Sequence, residues 1–428
     1  MCFGKPLAIH TGICYNYFVN CEIINISCRG ADGKRTCVVG METENPSDFC
    51  NCGGDDMVVL DVKLDHILIF NDFHINFTYP RKILNSTIEN EHLKDRPSFR
   101  YKKAVILMGA NATGKTSLGV VLSKIFHFIN TGNTTLLLDL VAPDAIGSFT
   151  IDFVNDGLVL HRLSATIDCE SVNLSHGQTT ISERDTYEKC AARLDGNCKA
   201  VHTHASALRK LFGELRFRFA YPEIDPPLSL VGIDKDMLLH SLKAVLCTLD
   251  PSITEIVPSE DLKDSYIIRR PGADIIIQEG KLLNRELLSS GTAEGVDIAI
   301  FMASILSGAG SFYYCDEHFS HIQTDIEKSI FSVMVSKLGE NDQLIFTTHN
   351  TDMLDLNLPK HSFAFLRKRL EDDAYKVSVM YASDLLKRNT DSIRCAVAND
   401  MFLSLPDDSL IYSLEKGITS NDHHLEVR

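Results

Sequence analysis

The octapeptide GANATGKT, residues 109–116, is the stretch of this sequence that decides the fold. It satisfies the pattern G-x-x-x-x-G-K-[ST], in which glycines let backbone N–H groups turn toward a phosphate and the following helix adds partial positive charge. Five consecutive apolar residues, Ala104 to Met108, precede it, as in a strand that is buried on both faces of a parallel sheet. A helical stripe of apolar residues follows from Leu118 to Ile129. This order of strand, glycine loop and helix predicts a phosphate-binding loop (P-loop).

The loop supplies candidate ligands for a nucleotide and its metal ion. Lys115 is expected to reach the β- and γ-phosphates, and the Thr116 hydroxyl is expected to bind Mg²⁺. ATP and Mg²⁺ are therefore the expected cofactors. The candidate nucleotide-binding residues of this segment are Gly109, Asn111, Ala112, Thr113, Gly114, Lys115, Thr116 and Ser117.

A pair of carboxylates follows a second apolar run. Residues 311–315 read SFYYC and are followed by Asp316 and Glu317. A strand that ends in this way supplies the carboxylate that holds Mg²⁺ in P-loop proteins. Asp316 is thus the candidate metal ligand beside Thr116, and Glu317 is the candidate general base for the attacking water.

Two more segments follow the P-loop in a suggestive order. LSSGT, residues 288–292, opens a predicted helix ahead of the carboxylate pair, and LIFTTH, residues 344–349, is a predicted strand that ends in His349. Taken alone, the first is an ordinary helix cap, because Ser and Thr cap helices well. A lone His at a strand end is ordinarily a polar residue at the rim of a sheet. Their order after GANATGKT favours functional roles for both.

After Ser289 the apolar periodicity alternates between helical and strand patterns, and this alternation predicts an α/β sheet. The predicted elements are strand-like residues 58–79, helices at 208–219, 237–249, 292–306 and 326–338, and strands at 311–315 and 344–348.

The combined motif set resembles that of the ABC-type ATPases: a P-loop (GANATGKT), a signature (LSSGT), a Walker B pair (Asp316-Glu317) and a switch histidine (TTHNTDMLD, residues 347–355). The signature and the residues from 347 to 393 look closest to the AAA/ABC ATPases of bacterial abortive-infection (anti-phage) systems. Their relatives include the ATPase halves of overcoming-lysogenization-defect nucleases and the RecF and SMC heads. The resemblance covers about residues 57–405. It implies an α/β P-loop NTPase of the ABC-ATPase head type, with a mixed sheet flanked by helices and an inserted helical subdomain.

The resemblance also implies roles for three further residues. Ser289 and Gly291 would contact the γ-phosphate of ATP bound in the P-loop of a second subunit, so the implied assembly is a homodimer or higher homo-oligomer that sandwiches ATP. His349 would hydrogen-bond the γ-phosphate or the water beside Glu317, which makes it the second candidate catalytic residue. The family's glutamine loop has no assigned match, and Gln178 lies in a polar stretch.

The same resemblance divides the chain into four parts. They are an N-terminal extension of unassigned role at 1–56, a P-loop lobe at 57–165, an inserted and mainly helical subdomain at 166–280, and a lobe with the signature, Walker B pair and switch histidine at 281–428. Three prolines interrupt the insert at Pro222, Pro226 and Pro227, which excludes a long coiled-coil arm of the SMC kind.

The composition of the chain limits the classes of protein to which it can belong. The 428 residues are 44% hydrophobic and 23% charged, which is ordinary globular usage. A net charge of −15 disfavours phosphate backbones, so a nucleic acid would need a local basic patch such as Arg367-Lys368-Arg369. Neither a secretory signal nor an apolar run of about 18 residues is found. We therefore expect a cytoplasmic protein without a membrane partner.

The cysteines and histidines do not predict a further metal site. The 13 cysteines concentrate before Met57, but the sequence contains no C-x-x-C pair, so free thiols are favoured over zinc. Cys315, His318 and His321 lie around the carboxylate pair. Asp316 and Glu317 are already assigned to Mg²⁺ and water, which argues against a separate site there.

The leading functional hypothesis is an ATPase subunit of a bacterial anti-phage defence system. It would sense infection through a phage-derived trigger and control a toxic effector, a nuclease or toxin encoded nearby, through ATP-dependent dimerisation. The alternative is a RecF/SMC-like DNA-repair ATPase that clamps DNA. A third hypothesis is a nucleotide-gated scaffold with negligible turnover.

Overall fold

The computed structural model describes residues 56–403 apart from 84–85, 156, 222–227, 372–373 and 389–390. The predicted extension at 1–56 lies outside the described residues except for Asp56. Within the described ranges, every helix is too short or too polar to cross a bilayer.

Strands account for the larger number of regular elements in the described residues. They are β1 (Met57–Asp65), β2 (Phe73–Asn76), β3 (His92–Leu93), β4 (Arg96–Arg100), β5 (Ala104–Met108), β6 (Gly147–Asn155), β7 (Val159–Ile167), β8 (Val172–Thr180), β9 (Lys199–Val201), β10 (Phe217–Ala220), β11 (Glu255–Pro258), β12 (Ser265–Arg269), β13 (Ile275–Gln278), β14 (Lys281–Leu282), β15 (Phe312–Asp316), β16 (Gln343–Thr347), β17 (Phe363–Glu371) and β18 (Ala374–Tyr381).

The helices pack against the sheets that these strands form. They are α1 (Lys115–Thr131), α2 (Thr135–Leu138), α3 (Tyr187–Leu194), α4 (Ala205–Phe212), α5 (Lys235–Leu249), α6 (Ser290–Leu306), α7 (Thr324–Lys337), α8 (Ala382–Leu385) and α9 (Ile393–Ala398), with 3-10 turns at Arg285–Leu287, Thr351–Asp355 and Lys360–Ser362.

The first large sheet is antiparallel and has the strand order β2-β1-β6-β7-β8-β9. A β-bulge in β1 between Val59 and Asp61 shifts its register against β6. The extra residue inverts the alternation of side chains. Met57 and Val59 therefore face the same core as Val62 and Leu64, although their positions differ in parity.

The second large sheet carries the predicted motifs. Its order is β10-β15-β16-β5-β17-β18, with parallel pairing throughout except at the edge strand β18. The side chains of Ala104, Ile106 and Met108 on β5 join one apolar core, and those of Val105 and Leu107 join another. Burial on both faces is the property that the uninterrupted run AVILM predicted. The sheets are thus mixed α/β structure, as predicted.

Helix α1 lies in the core between the two large sheets, where Leu118, Val121 and Leu122 pack with side chains from both. Helices α5, α6 and α7 cover the opposite face of the parallel sheet, together with the antiparallel strands β11 to β14. The segment that joins β5 to α1 is therefore held by packing on both sides.

The predicted insert differs from the structure in two respects. Residues 166–280 contain helices α3, α4 and α5 but also strands β8 to β13, so the segment is not mainly helical, and the division at 165/166 cuts strand β7. The helical pattern predicted at 208–219 ends early. Helix α4 stops before Gly213, whose φ of 74° suits glycine, and residues from Phe217 form the parallel strand β10 beside β15.

Candidate functional site

The predicted motifs meet at one edge of the parallel sheet. Strands β15, β16 and β5 are neighbours and run in the same direction, so their carboxyl ends lie side by side. These ends carry Asp316, Thr347 and Met108, followed in the chain by Glu317, His349 and the P-loop. The carboxyl edge of an open α/β sheet is where such folds bind their ligands.

The P-loop backbone has a positive φ at two positions. Gly114 has a φ of 100°, in the left-handed region, and Ala112 has a φ of 61°. Gly109 is constrained by space, since a Cβ there would lie 2.7 Å from the carbonyl oxygen of Leu366. Both glycines of the pattern are thus required by the backbone path itself.

The other residues of the loop divide by exposure. The Thr113 side chain is buried and its hydroxyl donates to the carbonyl of Ala110 at 2.8 Å, which closes the loop on itself. Asn111, Ala112 and Thr116 are exposed, and Ser117 is half-buried.

Lys115 lies inside the loop with 4% of its side chain exposed. Its Nζ donates to the carbonyls of Gly109 at 2.9 Å and Ala110 at 3.2 Å, and it pairs with Glu317 Oε1 at 3.2 Å. Burial lowers the pKa of the Lys115 ammonium, and the Glu317 carboxylate opposes that shift. The lysine is thus a buried cation with a nearby counter-charge.

Thr116 and Asp316 are joined directly. The Thr116 hydroxyl donates to Asp316 Oδ2 at 2.5 Å, and the Thr347 hydroxyl donates to Asp316 Oδ1 at 2.7 Å. Burial raises the pKa of Asp316, while the two hydroxyl hydrogen bonds oppose that shift. The structure therefore brings together the two predicted metal ligands, which are far apart in the sequence.

Glu317 contacts both of its predicted companions. Its Oε1 lies 3.2 Å from Lys115 Nζ and 2.9 Å from His349 Nε2. Its backbone N–H donates to Thr347 Oγ1 at 3.1 Å, and its φ is 46°, which is uncommon for a residue with a side chain. Backbone strain of this kind is held in place by surrounding bonds and concentrates at functional positions.

The residues present fit a nucleotide with Mg²⁺. A glycine loop at a helix N-terminus with a buried lysine suits phosphate oxygens. The Thr116 hydroxyl and the Asp316 carboxylate are hard oxygen ligands, and Mg²⁺ is usually held by one or two carboxylates together with substrate phosphates. A cation beside Asp316 would also relieve the cost of ionising that buried carboxyl.

Sequence reasoning missed Tyr314, which supports the loop from below. The Tyr314 hydroxyl donates to the backbone carbonyl of Lys115 at 2.5 Å within the core. Gly119 on α1 makes room for it, since a Cβ at that position would lie 2.7 Å from the Tyr314 ring. In the sequence, the one indication of this contact is that a small residue, Gly119, lies on α1 and an aromatic residue, Tyr314, lies on β15.

The signature residues lie at the start of α6. Ser289 caps the helix by accepting the N–H of Thr292 at 3.2 Å. Among the contacts of the described residues, none joins Ser289 or Gly291 to the P-loop of the same chain. Gly291 instead packs against the segment that follows Glu317, because a Cβ there would lie 2.6 Å from the carbonyl oxygen of His321.

Sequence reasoning also missed Glu294, which connects α6 to the segment that follows Glu317. Its buried carboxylate accepts hydrogen bonds from the Ser320 hydroxyl and from the His321 backbone N–H, both at 3.2 Å, and contacts His321 Nδ1. His321 is therefore engaged by a carboxylate of α6. Cys315 lies in the apolar core beneath the site.

Strand β10 reaches the same edge of the sheet beside β15 and ends at Ala220. Tyr221 follows, and its buried hydroxyl has no hydrogen-bond partner among the described residues. Gln178 lies elsewhere, on β8 of the antiparallel sheet.

No protein-family model matches the chain, and no curated protein matches it. Among solved structures, the chain is similar to an SMC head bound to the C-terminal winged-helix domain of ScpA, with 12% identity, a TM-score of 0.46, and coverage of 77% of this chain and 100% of that one. It is similar to the SMC head domain from Thermotoga maritima, with 13% identity, a TM-score of 0.40, and coverage of 75% and 98%. It is also similar to the recombination mediator protein RecF-ATPrS, with 12% identity, a TM-score of 0.37, and coverage of 76% and 100%.

Proposed function

We propose that this chain is an ABC-type ATPase that binds ATP in the P-loop and hydrolyses it with Glu317 and His349. The observation that carries the proposal is the position of Glu317 Oε1 between Lys115 Nζ and His349 Nε2, at 3.2 and 2.9 Å. Lys115 and His349, which are distant in sequence from each other, thus meet at one oxygen of Glu317.

Each residue of the proposed site has a role that follows from its chemistry. Lys115 and the backbone N–H groups of the P-loop bind the phosphates, while Thr116 and Asp316 would hold Mg²⁺, which supplies positive charge to the phosphate oxygens when bound. Glu317 accepts a proton from the attacking water, as general-base catalysis requires. His349 donates to Glu317 or to the γ-phosphate and orients the carboxylate.

The signature suggests a dimer. Ser289 and Gly291 lie at the N-terminus of the 17-residue helix α6, where backbone N–H groups favour an anion. They have no described contact with their own P-loop, so we propose that they serve the nucleotide of a second copy of the chain. Two subunits would then enclose two ATP molecules.

Three variants test the activity. Lys115→Ala should lose ATP binding, because the phosphates lose their buried counter-charge. Glu317→Gln should retain binding, lose turnover and accumulate as an ATP-bound dimer, measured by phosphate release and light scattering after gel filtration. Glu340→Gln, an exposed carboxylate paired with Lys94, is the matched control and should behave as wild type. Turnover at the wild-type rate in Glu317→Gln would show that the catalytic assignment is wrong.

At a finer level, we propose that the ATPase is the regulatory subunit of an anti-phage defence system. Support comes from the signature and tail sequences and from the motifs, all of which serve nucleotide binding or dimer closure. Toxicity would then belong to an effector encoded nearby. Expression of this chain alone should be harmless, and Lys115→Ala should abolish protection when the effector is present. Killing by this chain alone would overturn the proposal.

The DNA-clamping alternative is favoured by one observation, the basic hairpin of β17 and β18. Arg369 faces Lys376 directly across the two strands, and Lys368 Nζ lies 5.1 Å above the Tyr375 ring. Like charges opposite each other are unfavourable without an anionic partner. DNA binding that weakens steeply with salt, and that is lost in Arg369→Glu but kept in the exposed Lys210→Glu, would support this function.

A further inference from the structure

Glu327 on α7 lies beneath the segment that carries the switch histidine. Only 2% of this residue is exposed. Its Oε1 accepts the Thr348 hydroxyl at 3.0 Å, and its Oε2 accepts Nδ2 of Asn350 at 2.6 Å. The two residues on either side of His349 are thus held by the two oxygens of one buried carboxylate.

Asn350 makes further hydrogen bonds that hold the same segment in place. Its Nδ2 also donates to the Thr324 hydroxyl at 3.0 Å, its backbone N–H donates to Thr348 Oγ1 at 3.0 Å, and its Oδ1 accepts the N–H of Asp352 at 3.0 Å. The chain on both sides of His349 is therefore fixed to the N-terminal turn of α7.

The His349 side chain makes few contacts of its own among the described residues. Its side chain is 41% exposed, and Glu317 is its one partner among the contacts of the described residues. The direction of the imidazole thus depends on the backbone that Thr348 and Asn350 anchor. A carboxyl group suits this task, because its two oxygens can accept from two donors at once and so fix the orientation of both.

We propose that Glu327 is a positioning residue that holds the Thr348–Asn350 segment so that His349 Nε2 meets Glu317 Oε1. The inference rests on the proposed function, since it assumes that His349 takes part in ATP hydrolysis. Glu327 would act on turnover without contacting the nucleotide.

The test measures kcat, KM for ATP and ATP affinity in purified full-length variants. Glu327→Ala should lower kcat about tenfold or more, because a displacement of about 1 Å in a catalytic group is costly. ATP affinity should stay within about twofold of wild type. Glu327→Gln should recover most of the activity, because its amide oxygen can still accept from Asn350 Nδ2 while its NH2 group donates to the Thr348 hydroxyl, which can accept as well as donate. Asp325→Ala, on the exposed face of the same helix, is the matched control and should leave kcat unchanged.

A double-variant cycle separates positioning from a general structural role. When His349→Ala is already present, adding Glu327→Ala should change kcat less than twofold, because the residue it positions has been removed. An additive loss in the double variant would overturn the inference. If Glu327→Ala fails to fold, the single-bond variants Thr348→Val and Asn350→Ala carry the same test, and wild-type kcat in both would overturn it.

The two proposals can fail separately. Wild-type protein without ATP turnover would refute the proposed function. In that case the ring-proton NMR signals of His349, assigned by their loss in His349→Gln, still test the inference, because Glu327→Ala should shift them and Asp325→Ala should not. Turnover that depends on His349 but not on Glu327 would refute the inference alone.

Discussion

Gly291 lies so close to the backbone of His321 that a Cβ on it would approach the His321 carbonyl oxygen to 2.6 Å. The signature residues at the start of α6 therefore touch the segment that follows Glu317. If Gly291 serves a partner's nucleotide, as proposed, this contact physically joins the two sites of a dimer through one chain.

Gly291→Ala should push the start of α6 away from His321. We expect ATP binding by the monomer to persist, because the P-loop is untouched, while ATP-dependent dimerisation and turnover fall at least about tenfold. Fluorescent-nucleotide binding, light scattering and phosphate release report the three properties. Gly157→Ala is the control, since a Cβ there meets its neighbours at 3.5 Å or more. Equal losses in both variants would contradict the prediction.

Tyr314→Phe should destabilise the protein by about 1 kcal/mol, because the Lys115 carbonyl loses a buried hydrogen bond of 2.5 Å. ATP affinity should fall as well, since Lys115 is the phosphate-binding lysine of the proposal. Denaturant unfolding and nucleotide titration measure the two effects. Tyr375→Phe, which removes an exposed hydroxyl, should change neither.

Asp342 should make stability depend on pH. Burial raises the pKa of this carboxyl to about 6, although it accepts the N–H of Gly339 at 2.6 Å. The unfolded chain releases the same proton near pH 4, so this group lowers the free energy of unfolding as pH rises from about 4 to about 6.

Asp342→Asn removes that dependence, because the amide keeps an acceptor for Gly339 and does not ionise. The variant should be more stable than wild type by roughly 1–2 kcal/mol at pH 7.5. The gain should shrink at pH 4.5, where folded wild type is largely protonated at this position. Denaturant titrations at the two pH values measure it, and an equal gain at both would contradict the assignment.

The residue at which a truncated chain begins should affect the stability of the protein. Met57 is fully buried, its backbone N–H donates to Ser311 Oγ at 2.9 Å, and the preceding Asp56 pairs with Arg216. A chain that begins at Met57 would place a charged amino group in that buried position and would lose the ion pair, both of which cost stability. A chain that begins at Gly53 should unfold at a higher temperature than one that begins at Met57, as measured by calorimetry.

The motif-bearing strands were predictable because their signals are local. The run AVILM is apolar at every position, and the structure places β5 at those residues with burial on both faces. Strand β16 was predicted one residue late, and helix α6 two residues late, which is the ordinary uncertainty at element ends.

Strand β10 and the supporting residues of the site were not predictable in the same way. Phe219 falls seven residues after Phe212 and so mimics a helical face, and only the positive φ of Gly213 and pairing with β15 separate the helix from the strand. The contacts of Tyr314 with Lys115 and of Glu327 with Thr348 depend on tertiary packing, which periodicity does not encode.

If Lys115 binds phosphate and Glu317 activates water, as proposed, the ion pair between them at 3.2 Å gives both roles a need for the same positive charge. Phosphate oxygens that enter the loop would then draw the Lys115 ammonium away from Glu317 and leave that carboxylate paired with His349. Occupancy of the P-loop would thus decide whether Glu317 is paired with Lys115 or is available to the attacking water. The ion pair would in this way keep the proposed general base engaged until phosphate is bound.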